Sequence, residues 1–552
     1  MQQFKKITSQ HYLDTIRGMW VGKFLGGTLG APIEGIKDIH TFTPADLQPE
    51  LAENDDTDLQ LLWLHALEEH GVELTGKILA EEWMEHYPTP WCEYGIMMKN
   101  WRSGLQPPET GKHNNWFYHE GMGCPIRSEI WGAVCAGSPE LAARFAEMDG
   151  TLDHHGDSVE AEKFLAAIDA AVFVEKDIER LLDIGQAVVD PASTFYALVR
   201  DARQWATNDD WATCRRKIIN TYGHPEMTHV LENLGFIILG LIQGKGDFGA
   251  TICAAINCGY DSDCTAASAG AIIGGILGFS GLPEHLKSAV PNSYQLSDWM
   301  KGFPREGSLD ELCNACGHWA QKIATHHNAP LELEGEYTYT PLAVAPQPLP
   351  TKIAETPQHA KWAMIGPFTR PWTERLAQRT DFPDHGHPTM PSVEYCAMNT
   401  AGFNTDYLNG EATFDNASLS MLPADIAQLI QAQDDRVPTA DLNWPQRSPY
   451  SYYAYTELSL EEAERVWLLL GSSGPLKVWI DGELRLESNS YQQFTPVSFS
   501  IDQQLDAGLH RVLIKAEVTS NKPELYFALK EHKQEHWHQN QYFMDFTWQP
   551  VG

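Results

Sequence analysis

Asp261-Ser262-Asp263-Cys264-Thr265-Ala266-Ala267-Ser268-Ala269-Gly270-Ala271-Ile272-Ile273-Gly274-Gly275-Ile276 decides how the first half of this chain is read. After the two acids the residues are small or apolar on every face, which predicts a closely packed, buried helix. Two carboxylates at the mouth of such a helix need a counter-charge, and the helix N-terminus supplies only about half a unit. Far earlier, Asn54-Asp55-Asp56-Thr57 opens a second apolar helix, Leu59-Gln60-Leu61-Leu62-Trp63-Leu64. There Asp56 or Thr57 could equally be an ordinary N-cap. Four Asp drawn together from distant segments repel unless cations sit between them. Hard oxygen ligands of this kind select Mg²⁺, Mn²⁺ or Ca²⁺ over zinc.

A third element lies near the start. Gly22, Gly26 and Gly30 recur at helical spacing, so another helix backbone can approach closely, and Pro32 then ends the helix and presents Glu34 from a loop. A tight helix crossing with an exposed Glu is the simpler alternative.

Together these elements resemble the ADP-ribosylglycohydrolase family, which includes dinitrogenase reductase-activating glycohydrolase and the ADP-ribosyl-serine and ADP-ribosyl-arginine hydrolases. The resemblance covers roughly the first 325 residues, a normal length for one large domain. Pro107-Pro108-Glu109-Thr110-Gly111, Ile126-Arg127-Ser128-Glu129-Ile130-Trp131-Gly132 and Asp153-His154-His155-Gly156-Asp157 resemble its bacterial branches. The resemblance implies an all-α orthogonal helical domain with a dinuclear Mg²⁺ centre, Mn²⁺ being the alternative ion. It places metal ligands at Glu34, Asn54, Asp55, Asp56, Thr57, Asp261, Asp263 and Cys264, and catalytic roles at Glu34, Asp55, Asp56 and Asp263. Substrate contacts are expected from Asp153, His154, His155 and Asp157, for which helix capping is the competing reading, and from Gly121 and Gly123.

Many family members carry Asp where this chain has Gly27, and Thr where it has Asn54 and Cys264. An Asn carbonyl can still coordinate a hard cation, but a neutral thiol is a weak partner for Mg²⁺. Thr265 stands next in line, although one helical step rotates its side chain well away.

Composition narrows the partners. With 39 Lys and Arg against 74 Asp and Glu, the formal charge is −35, so the overall field does not attract nucleic acid. No phosphate-binding loop of the G-x-x-x-x-G-K type is present. The start, Met1 to Thr8, lacks the apolar run of a secretory signal, and no segment reads as long enough to cross a membrane, so a cytoplasmic protein is expected. The 10 Cys are scattered, Cys253, Cys258 and Cys316 among them, and read as buried small residues rather than a disulfide framework.

Apolar periodicity predicts helices over Ala161 to Val174, Ala192 to Trp205, His229 to Ile242 and Leu309 to Ile323, the last capped by Ser308. Residues 1–327 therefore read as the helical catalytic domain, 328–358 as a Pro-rich linker, and 359–552 as an accessory domain. In the last, alternating runs at Tyr452 to Leu458, Arg465 to Leu470, Leu476 to Ile480, Phe494 to Ile501, His510 to Val518 and Glu524 to Leu529 predict an antiparallel β-sandwich, with a tight turn at Asp481-Gly482. It resembles the jelly-roll domains appended to carbohydrate-active enzymes. Trp372, Tyr395, Tyr450, Tyr452 and Tyr453 could stack on a sugar, though aromatics in a sandwich are more often core.

The expected activity is Mg²⁺-dependent hydrolysis of an ADP-ribosyl or ribosyl glycosidic bond in a small or protein-linked substrate, without membrane partners and with self-association left open. The alternatives are a glycosidase of another sugar, and a binder whose metal centre is impaired by Asn54 and Cys264.

Overall fold

A computed structural model describes residues 5–47, 57–89, 92–115, 117–348, 360–369 and 403–432, single positions between 436 and 444, and then 450–460, 462–492, 494, 498–518, 524–531 and 546–548. The chain divides into two compact units, Met1–Ile353 and Ala354–Gly552.

The first unit is helical and is organised on one crossing. The first helix, Ser9–Gly30, starts where Thr8 accepts a hydrogen bond from the His11 amide at 3.2 Å, and gives way to a 3-10 turn, Ala31–Ile33, at Pro32. It packs antiparallel against Ser262–Gly281. Gly18 meets Gly274, Gly22 meets Gly270, Gly26 meets Ala266 and Gly30 meets Ser262, and a Cβ at any of the four glycines would fall onto the opposing carbonyl oxygen. Only glycine lets the two backbones touch in this way. The Ser262 hydroxyl locks the end of the seam by donating to the Gly30 carbonyl at 2.9 Å.

The periodic segments fold as Asp157–Ala171, Thr194–Asn208, Val230–Gly244 and Leu309–His326, and Ser308 caps the last by accepting from the Glu311 amide at 3.4 Å. The helical unit also carries short strand pairs, Lys5–Ile7 with Leu331–Leu333 and Ser293–Gln295 with Glu306–Ser308. One expectation needs correcting: Ser262–Gly281 is long and apolar enough to cross a membrane, with mean hydropathy 1.4. Its partners explain that composition, since 72% of the apolar window is buried within the unit.

The Pro-rich segment differs from a linker as far as Pro348. Leu331–Leu333 runs parallel to Lys5–Ile7, Tyr337 lies against Gly317, and the Trp319 indole donates to the Tyr339 hydroxyl at 3.1 Å. The Leu342 and Gln347 amides donate to Glu68 and Glu85, each at 3.0 Å. Proline lacks an N–H, but it does not prevent an extended strap whose other residues supply donors and apolar anchors. The remainder of the expected linker, residues 349–359, lies outside the described residues.

In the second unit, two antiparallel sheets share one core. Among the described residues the larger has the order Glu483–Ser488, Leu476–Ile480, Gly508–Val518, Tyr450–Leu460, Lys361–Thr369, Ala427–Gln431, with Phe546–Trp548 also paired to Tyr450–Leu460. The smaller runs Phe499–Leu505, Glu464–Ser472, Leu525–Glu531. Ile480 pairs with Glu483 across Asp481-Gly482, both at positive φ (51° and 86°), the geometry of a two-residue hairpin. Tyr450 and Tyr452 enter the core between the sheets and Tyr453 enters a second cluster on the other face of its strand. All three are at most 2% exposed, so they pack and do not present a sugar platform. Trp372 and Tyr395 lie outside the described residues.

Candidate metal centre and the histidine cluster beside it

The glycine seam brings the start of Ser262–Gly281 to the end of the first helix, and the loop that follows is fastened there. The Gly35 amide donates to the Tyr260 carbonyl at 2.8 Å, and the Tyr260 amide returns to the Ile36 carbonyl at 3.0 Å. Gly35, Gly259 and Tyr260 all take positive φ (78°, 70° and 64°); for Tyr260 this is a strained conformation of the kind that gathers at functional sites. Exposed Glu34 is thereby held in a loop zipped to the residue preceding Asp261.

Asp261 stands at the N-cap position of Ser262–Gly281 but makes no capping hydrogen bond through its side chain, which removes capping as the reason for an acid there. Asp261, Asp263 and Cys264 each offer a donor atom within 4.8 Å of the other two, and all are buried. Burial pushes the Asp263 carboxyl above the usual carboxylate range, against a hydrogen bond with Asp261 and the field of the Lys23 ammonium. Its Oδ1 is buried with no hydrogen-bond partner among the described residues. An orphaned carboxylate oxygen is costly in a protein interior and suits a cation. The Thr265 hydroxyl donates to the Ser262 carbonyl at 3.2 Å.

Thr57 is buried and occupies the N-cap of Asp58–His70, also without a capping side-chain bond. Asp58 is committed elsewhere, accepting from the Ser297 amide at 3.2 Å and from the Ser297 hydroxyl. Asn54, Asp55 and Asp56 lie outside the described residues.

The Asp153 to Asp157 segment is dominated by a buried ion pair. Arg127 donates two bonds to Asp153, at 3.0 and 2.8 Å, and a third to Asp149 at 3.0 Å. Burial alone would raise the Asp153 carboxyl, but Arg127 and then His154 hold it down at about 2. His154 Nδ1 lies 2.9 Å from Asp153 Oδ1, a contact of charge rather than an aligned hydrogen bond, and its Nε2 lies 3.5 Å from Glu93. Asp153 and His154 are fully buried and bound within the protein, so they offer no surface to a substrate. Gly121 and Gly123 lie over this pair; a Cβ at Gly123 would fall onto Glu93 and crowd His154. Asp157 opens Asp157–Ala171 and pins it to Thr194–Asn208 by accepting from the Phe195 amide at 2.9 Å. His155 alone of the four is half-buried, stacked on His119 with ring centroids 3.9 Å apart.

Sequence reasoning missed the residues that connect these two regions. The Asp261 amide donates to Asn233 Oδ1 at 3.3 Å, and Asn233 Nδ2 donates to the His229 carbonyl at 2.9 Å. His229 Nδ1 lies 2.9 Å from Glu232 and its Nε2 3.4 Å from Glu120. Burial opposes the charge on His229, but Glu120 and Glu232 outweigh it and raise its pKa to about 9. His155 moves the other way, to about 4, through burial and the neighbouring His119. On the opposite side, buried Lys23 donates to Glu129 at 3.2 Å and to the Ile126 carbonyl at 2.8 Å, and Gln60 donates to Glu129 at 2.9 Å. The available signal was polarity out of place: Glu232 and Asn233 are fully buried near the start of an otherwise apolar helix.

The family's sequence profile, described as ADP-ribosylglycohydrolase, matches residues 8–321. The chain belongs to the ADP-ribosylglycohydrolase family. Membership makes it a glycosyl hydrolase, from a metal-dependent family that acts on ADP-ribosylated substrates. Among solved structures, one described as an ADP-ribosylglycohydrolase-related protein complex is similar at 18% identity and a TM-score of 0.38, over 51% of this chain and 94% of that one. Two of a β-glucosidase from Kluyveromyces marxianus are similar at 11% identity. The glucose complex covers 20% of this chain and 15% of its own at a TM-score of 0.17. The selenomethionine form covers 21% and 16% at 0.18. No curated protein matches the chain in sequence.

Proposed function

We propose that this glycohydrolase is Mg²⁺-dependent and hydrolyses the glycosidic bond of an ADP-ribosyl or ribosyl substrate, small or protein-linked, at a two-ion centre. Glu34, Asp261 and Asp263 would hold the ions together with Asn54, Asp55, Asp56 and Thr57. The observation that carries this reading is Asp263, a buried carboxylate with one oxygen lacking a protein partner among the described residues and Asp261 beside it. An oxygen-rich donor set suits a hard divalent cation, and Cys264 is the one soft member. When bound, such ions supply Lewis-acid polarisation and a template for neighbouring ribose hydroxyls.

The chain's own groups do the rest. Glu34, exposed in the zipped loop, is assigned to proton transfer with the attacking water, in a reaction whose transition state resembles an oxocarbenium ion. His155, neutral near pH 7 and partly exposed, is the member of the 153–157 segment assigned to substrate contact. Arg127 and Asp153 keep the loop containing Gly121 and Gly123 in place; Arg127 donates to the Gly123 carbonyl at 2.8 Å. Nine described cysteines are free, which fits the proposed cytoplasmic setting.

The test is release of ADP-ribose from ADP-ribosylated peptides with Mg²⁺ titrated from zero. Asp261→Asn is expected to lower the Mg²⁺-dependent rate by about 10³-fold, about 4 kcal/mol of barrier, with the far-UV spectrum unchanged. Undiminished turnover by Asp261→Asn, or by the unsubstituted enzyme in excess chelator, overturns the proposal.

A further inference from the structure

One cluster outside this centre joins imidazole and carboxylate donors from two helices. His65 lies on Asp58–His70, while Glu82 and His86 lie on Gly76–His86. All three are buried, and a donor atom of each lies within 4.8 Å of the other two. Each helix carries a His and a Glu four residues apart, His65 with Glu69 (Nε2 to Oε1 4.0 Å) and Glu82 with His86, a spacing that puts both on one face.

The donors are already oriented. His86 Nδ1 lies 2.9 Å from the Lys301 carbonyl, which can only accept, so Nδ1 donates there and Nε2 is the nitrogen left to meet a metal. Glu82 Oε1 lies 2.9 Å from His70 Nε2, and Oε2 lies 2.9 Å from His65 Nδ1. The Phe303 ring packs edge-on against both His65 and His86, with centroids 5.4 and 5.5 Å away.

We propose that His65, Glu82 and His86 form a second metal site, for a transition-metal ion of borderline softness such as Zn²⁺. Two imidazoles and one carboxylate favour that class of ion, whereas a carboxylate set such as Asp261 and Asp263 favours magnesium. Tetrahedral bonds of about 2.0–2.1 Å put neighbouring donors about 3.3 Å apart. The His65 to Glu82 spacing therefore opens by a few tenths of an ångström, and His86 closes by at most about 1.5 Å, within reach of side-chain rotation. The ion takes the place of the proton between His65 Nδ1 and Glu82 Oε2, so that proton is released on binding. Glu69 faces Nε2 on the far side of the His65 ring, so a water completes the shell. The site clamps two helices and the 301–303 segment together, a structural role independent of the activity proposed above.

The full chain, stripped of metal and held in excess Mg²⁺ to satisfy the carboxylate centre, is titrated with Co²⁺. One equivalent is expected to bind with the visible bands of tetrahedral cobalt and to raise the melting temperature. Asp261→Asn should bind it unchanged, while Glu82→Gln and His65→Gln should weaken it by at least about tenfold. The zinc-loaded unsubstituted protein should show two imidazoles in its K-edge X-ray absorption spectrum, a readout that stands even if the variants fail to fold. An oxygen-only shell, or cobalt bands lost in Asp261→Asn and kept in His65→Gln, overturns the proposal.

Discussion

Asp153 and Asp263 are both buried aspartates in the same helical unit, and they are compensated in opposite ways. Asp153 has a two-pronged Arg127 and the charge of His154, and its carboxyl is driven down to about 2. Asp263 has a second acid as its hydrogen-bond partner and an oxygen with no partner among the described residues, and its carboxyl is driven up. A carboxylate completed by the protein is part of the architecture, whereas one left short of positive charge is built to receive it from outside.

The sharpest way to break this contrast is to neutralise each acid. Asp153→Asn leaves the Arg127 and Asp149 pair unbalanced and should cost about 3–5 kcal/mol in denaturant unfolding. Asp263→Asn in metal-free protein should change stability by less than about 1 kcal/mol, or increase it, because it relieves an uncompensated acid. Equal losses would erase the distinction.

Gly30→Ala tests whether the seam serves one site and not the other. Its Cβ would press on the Ser262 carbonyl and the Asp263 backbone, at an expected cost of about 1–3 kcal/mol. The Mg²⁺ concentration for half-maximal activity should rise, while the Arg127 pair stays intact.

The histidines carry the contrast into pH. His229, raised to about 9, contributes stability that is complete below its unfolded pKa near 6.5 and is lost as pH rises through 9. His155, lowered to about 4, contributes stability that is complete above about 6.5 and is lost as pH falls through 4. His229→Gln should therefore flatten the alkaline limb by about 1–3 kcal/mol, and His155→Gln the acid limb by about 1 kcal/mol once its exposure is discounted. Ring resonances from NMR should titrate near these two values; a single shared value near 6.5 would refute the assignment.

The smallest effect is expected at Cys264. Replacing a soft thiol by a hydroxyl in Cys264→Thr should tighten Mg²⁺ by roughly three- to tenfold in calorimetry, about 1 kcal/mol. Unchanged affinity would mean that Cys264 only packs.

What the chain disclosed beforehand follows from the reach of each signal. Glycines at steps of four announce a close crossing because the helix repeat is local, and the hairpin at Asp481-Gly482 is legible because its turn chemistry needs two residues. Asp261 and Asp263 stand out because two acids at the mouth of an apolar helix lack a local reason. Arg127 and Asp153 gave no such sign, since their partnership is made by folding across 26 residues. The same holds for Glu120 and His229, 109 residues apart. The packing of the strap after His327 is not legible in its composition, because proline content reports the missing donors and says nothing of anchors such as Leu331, Leu333 and Tyr337.

The seam that closes with Ser262 on Gly30 spans 232 residues of sequence. During synthesis the first helix emerges long before its partner, and at 5–20 residues per second it waits roughly 10–50 s with its apolar and glycine face uncovered. Closing so long a loop is slow, and the segment that waits is also one prone to association with other nascent chains. The arrangement that presses two backbones together thus leaves the first helix waiting for its partner, and ties the birth of the aspartate pair to a late docking event in the helical unit.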